Sequence, residues 1–294
     1  MSIVFHIGYP KSASTWLQEN LFPKITNFTF INQVNTNEIF LSSDVFQFNP
    51  KEIRNRFLLH ENIIFSSESI TTPINKGWHY GVFSKTQADK IKATFPQAKI
   101  IIIIRNQQSL IASAYQQFIK NGGVESFNCY LNSGKYFSFQ HLNFYLLIRY
   151  YESLFYKENV FVYMYEDFLH NPTDFVKSLM NQFNFEIDIK QINFSRVNRG
   201  LRINFIPCLK FFNLFHRRPK LKIHYLMHLK GMSTIIKKFI LPLNNCRLFG
   251  RYAKPEDFLK RKDWQYIKDY YGQGNRKLSE RINQKDLQNN GYFL

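Results

Sequence analysis

The sequence predicts an α/β fold: a P-loop-like, doubly wound parallel β-sheet flanked by helices, with a helical C-terminal extension. Short apolar runs that do not alternate with polar residues recur along the chain, helical patterns separate them, and the first run passes into a helix through a Pro-Lys-Ser turn. Runs of this kind read as strands buried on both faces, as in a parallel sheet covered by helices. Strands that alternate with helices imply a doubly wound sheet with ligands at the carboxyl ends of its strands.

The strands are expected at 3–7, 28–31, 63–65, 100–104 and 160–164, where Val, Ile and Phe dominate. Between them, helices are expected at 14–22, 50–59, 86–95, 107–120 and 138–157. A helix near 172–183 and a final one over 264–283 follow. Residues 201–255 are the least readable, because Pro207, Pro219, Gly231 and Pro242 cut them into short amphipathic pieces. A length of 294 residues is near the upper size for one core, so one domain is expected over 1–294, with an α/β core at 1–200 and a basic helical extension at 201–294.

The formal charge of +18 calls for an anionic partner: nucleotide, nucleic acid, acidic glycan or membrane surface. Its distribution is uneven. Residues 1–105 hold eleven Lys and Arg against seven acids, whereas 202–251 hold eleven Lys and Arg and no acid. Cys129, Cys208 and Cys246 are odd in number and lack metal-ligand spacing, which indicates neither a disulfide framework nor a zinc site. The first residues run straight into a strand, and no run approaches the ~20 apolar residues a membrane span needs. A cytoplasmic protein is expected, at most resting peripherally on the inner face of the membrane.

The most informative segment is Gly8-Tyr9-Pro10-Lys11-Ser12-Ala13-Ser14-Thr15-Trp16, where a strand gives way to a helix. Such a turn aims successive backbone N–H groups at one point and makes an anion cradle, to which Lys11 adds charge and the hydroxyls add donors. It is not a Walker A loop, since the lysine precedes the hydroxyls. The strand at 100–104 ends in Arg105, where a P-loop kinase tends to place a metal-binding Asp. Metal-independent phosphate binding is the expectation. Arg105 and Ser113, two helical turns apart, can converge on a second anion, and a guanidinium fork suits a phosphate monoester.

These two segments, about ninety residues apart, resemble the Pro-Lys-Ser-Gly-Thr-Thr-Trp and Arg…Ser signatures of PAPS-dependent sulfotransferases. The resemblance implies 3'-phosphoadenosine 5'-phosphosulfate (PAPS) as donor and adenosine 3',5'-bisphosphate (PAP) as product, bound by the core at 1–200. By position, Pro10 opens the loop and Lys11 steadies the bridging oxygen of the leaving group. Ser12, Ala13, Ser14 and Thr15 bind the 5'-phosphate, Trp16 lies against adenine, and Arg105 and Ser113 bind the 3'-phosphate. Asn198-Arg199-Gly200 is similar to the late loop over the 3'-phosphate. Tyr163-Met164-Tyr165-Glu166-Asp167-Phe168 and the tail around Gly291-Tyr292-Phe293 are weaker echoes. Ala13 departs from the family's glycine, and Ala accepts positive φ less readily.

A base must take the acceptor's proton. Glu68, at the end of the strand 63–65, is the candidate; glycan-modifying sulfotransferases use a Glu at a similar place. The histidine motif of the small-molecule enzymes is absent, leaving His79 as runner-up, while His6 looks buried on the first strand. The stretch 202–251 reads either as a rim gripping an anionic acceptor or anionic membrane, or as packed helices with a solvated basic face. A glycan or glycolipid acceptor is expected. The rivals are a P-loop nucleotide or sugar kinase and a nucleic-acid-binding protein; no nucleic-acid motif is present, so no nucleic-acid partner is expected.

Overall fold

The computed structural model describes residues 2–71, 83–195, 200–216 and 225–294. Its centre is a five-stranded, fully parallel sheet of β1 (Ser2–His6), β2 (Thr29–Ile31), β3 (Asn62–Ser66), β4 (Lys99–Ile104) and β5 (Val160–Met164), in the order β2-β3-β1-β4-β5. From β1 the chain goes first to the edge strand β2, returns to place β3 between β2 and β1, and then crosses β1 to add β4 and β5 on the other side.

The unalternating runs are explained by two cores. Ile3, Phe5, Ile63, Phe65, Ile100, Ile102 and Ile104 point to one face and join one cluster. Val4, Ile64, Ile101 and Ile103 point to the other face and join a second, with Trp16, Leu17, Phe175 and Leu179. Successive strand residues face opposite sides, so a sheet covered twice needs apolar residues throughout.

The helices are α1 (Ser14–Trp16), α2 (Gln33–Phe40), α3 (Pro50–Asn55), α4 (Ser84–Thr94), α5 (Gln107–Lys120), α6 (Phe127–Asn132), α7 (Phe144–Phe155), α8 (Tyr165–His170), α9 (Pro172–Phe183), α10 (Phe205–Asn213), α11 (Met232–Ile235), α12 (Arg261–Leu278) and α13 (Gln284–Asn289). α5 and α9 lie where the sequence put them. The helix expected at 14–22 is instead α1, a π-turn at Leu17–Leu21 and a 3-10 turn at Phe22–Lys24, since Pro23 cannot donate to the turn before it. The helix expected at 138–157 breaks at Asn143, whose side chain accepts from Leu146 N and starts α7 afresh. The helix expected at 50–59 stops at Asn55. The last expected helix ends at Leu278, because Asn283 caps α13.

The extension joins the first core: Leu201, Phe205, Leu209, Ile236, Ile267, Tyr271, Leu287 and Tyr292 are buried in it. No helix among the described residues is long and apolar enough to cross a membrane.

Candidate active site

Strands β3, β1 and β4 are neighbours, about 4.8 Å apart, so residues just past their carboxyl ends come within reach of one another. A cavity of about 600 Å³ opens at that edge, in the usual range for a ligand site.

β1 supplies the turn. Gly8 sits where β1 still pairs with β4: Ile7 N and Tyr9 N donate to Ile101 O and Ile103 O, and a Cβ on Gly8 would come to 3.2 Å from Ile103. Lys11 and Ala13 then take φ of 70° and 65°. Both are non-glycine residues in the left-handed region, a cost of about 1–2 kcal/mol each. The turn is held nonetheless, by Arg105 Nη1 donating to Lys11 O at 2.7 Å and Leu17 N donating to Ala13 O at 3.0 Å. The Ser12 and Ser14 hydroxyls are buried and lack a hydrogen-bond partner among the described residues. Buried hydroxyls are rarely left unpaired without a reason.

Lys11 Nζ donates to Gln117 Oε1 at 3.1 Å. Burial, followed by the charges of Lys120 and Arg105, pushes Lys11 down to about 8, while Glu68 pulls it upward.

β3 supplies Glu68. Ser67 caps the 3-10 turn Glu68–Ile70 by accepting from Ser69 N, so the cap does not use the Glu68 carboxylate. Gln18 Nε2 donates to Glu68 Oε2 at 3.2 Å and to Ser66 Oγ at 3.0 Å, and Ser66 Oγ lies 2.8 Å from His6 Nδ1. Burial lowers His6 to about 3, so it is a neutral ring beneath the turn. Among the described residues lining the cavity, Glu68 is the one carboxylate.

β4 supplies Arg105, fixed by Nε donating to Ser109 Oγ at 2.9 Å and by stacking 4.6 Å over the Tyr165 ring. Two of the five N–H groups of a guanidinium are thus engaged. The end of β4 is anchored by the tail: Asn106 N and Nδ2 donate to Glu166 Oε1, Tyr292 OH donates to Glu166 Oε2, and Asn106 Nδ2 also donates to Asn290 O. Glu166 is therefore a buried structural carboxylate, raised by burial against these hydrogen bonds and Arg105.

Of the residues singled out in the sequence, Pro10, Lys11, Ala13, Ser14, Thr15, Trp16, Glu68, Arg105, Ser113 and Gly200 line this one cavity. Ser12 is buried behind the lining. Arg199 and His79 lie outside the described residues. Trp16 is nearly buried, its Nε1 donating to Asn193 O and its ring against Phe168 and Phe194. Gly200 is pinned from below, since a Cβ there would fall 2.7 Å from Gln116 Oε1, which accepts from Leu201 N.

Sequence reasoning missed Gln116, Gln117, Lys120 and Phe194. The first three follow Ser113 on α5 at +3, +4 and +7, spacings that share a helix face and could have located them. Phe194 carried no local signal. Together the cations and hydroxyls can hold a polyanion beside a carboxylate able to accept a proton.

The family described as sulfotransferase domain matches residues 2–194. No curated protein matches the chain. Among solved structures, the chain is similar to a sulfotransferase from Alicyclobacillus acidocaldarius, at 13% identity and a TM-score of 0.51 over 86% of this chain and 97% of that one. It is also similar to mouse sulfotransferase SULT7A1 complexed with PAP, at 15% identity and a TM-score of 0.50 over 96% of this chain and 89% of that one. At these identities the likenesses establish the fold.

Proposed function

This chain belongs to the sulfotransferase domain family, and from that premise we propose that it moves a sulfuryl group from PAPS to a hydroxyl or amine of a glycan or glycolipid. The observation that carries the reading is that Lys11 and Arg105 share one cavity with Glu68.

The residues fit the donor. The two unpartnered hydroxyls of the turn suit a phosphate that would complete their hydrogen bonding, and Arg105 with Ser113 suits a second phosphate some distance away. The mouse relative's bound PAP is of the same chemistry. In the reaction the acceptor oxygen or nitrogen bonds to sulfur as the bond from sulfur to the bridging phosphate oxygen breaks. Its electron pair stays on that oxygen, where the Lys11 ammonium offsets the growing charge. The acceptor's proton goes to the Glu68 carboxylate, which Gln18 orients. Positioning and charge stabilisation do most of the work in such loose transfers.

The extension supports contact with an anionic membrane that presents the acceptor. Leu226, Met227, Phe239 and Leu248 are exposed along a stretch that also carries Lys230, Lys237, Lys238 and Arg247. A cytoplasmic protein resting on the inner face of the membrane and comprising one domain over 1–294 is the accompanying reading.

Calorimetric titration with PAP and with ATP tests the donor. Micromolar or tighter PAP binding, at least a hundredfold better than ATP with or without magnesium, is expected; a preference for magnesium-ATP would make the protein a kinase. Flotation on vesicles with and without anionic lipid tests the membrane contact, and failure to float with anionic vesicles at low salt removes it.

A further inference from the structure

Two strands that end beneath the Lys11 turn carry a polar pair in an otherwise apolar layer. His6 closes β1 and Ser66 closes β3, and the parallel register sets them opposite each other. Alternation puts them on the face of Val4 and Ile64, with the Phe22 ring 5.3 Å from that of His6. Both are fully buried, and neither lines the cavity. Polar groups at two such core positions call for a reason beyond packing.

The hydrogens of this network can be counted. Gln18 Nε2 carries two, and it donates to Glu68 Oε2 at 3.2 Å and to Ser66 Oγ at 3.0 Å, so both are spent. Ser66 thus accepts from Gln18, and its own hydrogen is left for His6 Nδ1 at 2.8 Å. His6 receives it as the tautomer with its proton on Nε2. Burial pushes the ring down to about 3 and keeps it neutral, so Nδ1 retains the lone pair this bond needs.

Without an acceptor at Nδ1 the order reverses. The Ser66 hydrogen would turn to the Gln18 amide, and turning the amide over to receive it brings Oε1 against Glu68 Oε2, because one amide nitrogen serves both contacts. Two acceptors in contact repel, and the carboxylate swings away. An amide passes no proton along, so the network orients Glu68 and does not relay its proton to His6.

We propose that His6 is a positioning residue: by accepting from Ser66 it fixes which way the Gln18 amide faces, and so holds the Glu68 carboxylate toward the acceptor. The inference rests on the reading of Glu68 as the proton acceptor and extends that site to a residue behind the cavity.

The test uses the full chain. Nitrogen NMR on histidine-labelled protein, with His6→Asn to assign the signal, should show His6 neutral with its proton on Nε2; a proton on Nδ1 overturns the proposal. Single-turnover transfer from radiolabelled PAPS to a cell-envelope glycolipid extract measures the effect on the reaction. His6→Leu should slow transfer about tenfold, the cost of a misaligned group, with PAP affinity within about twofold of wild type, which also reports folding. His6→Asn, whose Oδ1 can stand where Nδ1 stood, should recover most of the rate. Ser66→Ala removes the competing hydrogen, so His6→Leu combined with Ser66→Ala should be about fivefold faster than His6→Leu alone, a suppression that lost packing does not produce. A wild-type rate in His6→Leu, or no gain from the second change, overturns the proposal. The tautomer, read on unaltered protein, decides it if His6→Leu does not fold. PAP binding by the wild type with nothing labelled in the extract removes the acceptor assignment, and the tautomer again decides. Absence of PAP binding by the wild type removes the donor reading and this inference with it.

Discussion

The guanidinium of Arg105, at the end of β4, donates from Nη1 to the carbonyl oxygen of Lys11, in the turn after β1, at 2.7 Å. One side chain thus braces the strained turn and takes its place in the cavity. Arg105→Lys should therefore harm more than a charge-conserving change suggests, because an ammonium cannot keep the bonds to Lys11 and Ser109 together with a phosphate. Affinity for PAP should fall about 10- to 100-fold, in line with loss of charged hydrogen bonds. Affinity for AMP, which lacks the 3'-phosphate, should fall much less. Calorimetry on both nucleotides checks this, and an equal loss for the two would detach Arg105 from the 3'-phosphate.

On the proposed reading, Lys11 should set a pH limit on donor binding. Its folded value of about 8 means that it is charged below pH 8 and loses its proton above it. A bound anion favours the charged form and raises this value, so binding takes up a proton when the pH exceeds 8. PAP affinity should be flat from about pH 7 to 8 and then weaken by up to tenfold per pH unit until the value in the complex is reached. Below about pH 6, protonation of the 3'-phosphate should weaken it as well. In Lys11→Met the alkaline fall should vanish; persistence of the same fall would assign it to another group.

Glu68→Gln removes the proposed proton acceptor and keeps the shape. Turnover should drop by about 10²- to 10⁴-fold while PAP affinity stays within a few-fold. Gln18→Leu, which takes away the donor to Glu68 Oε2, should lower kcat about tenfold and leave PAP binding intact. Single-turnover transfer measures both, and a wild-type rate in Glu68→Gln would end its role as base.

Ala13→Gly addresses the strain at φ 65°. Relief of about 1–2 kcal/mol is offset in part by the extra freedom of glycine in the unfolded chain, about 0.5–1 kcal/mol. A net gain of roughly 0.5–1 kcal/mol should raise the melting temperature by about 1–3 °C. An unchanged or lower melting temperature would mean that the turn carries no such strain.

Much of the fold was legible because its signals are local. Five unalternating apolar runs gave the strands, and a parallel sheet covered on both faces demands such runs. The breaks at Asn143 and Leu278 were less legible, since one capping side chain outweighs a continuing apolar pattern.

By itself the sequence pointed to the kind of protein through a Pro-Lys-Ser turn at the end of a first strand and an arginine, with a serine eight residues on, at the end of a later one. These depend on residue types within a few positions of each other, so neighbours in the chain suffice. Only the tertiary structure decided that β3, β1 and β4 end side by side, which sets Glu68 beside Lys11 and runs α5 past both. The strand order follows from how two apolar faces are buried by distant helices, and no local run of residues encodes it. For the same reason Lys120 reads in the sequence as the last residue of an amphipathic helix, and in the fold as the third cation of a cavity.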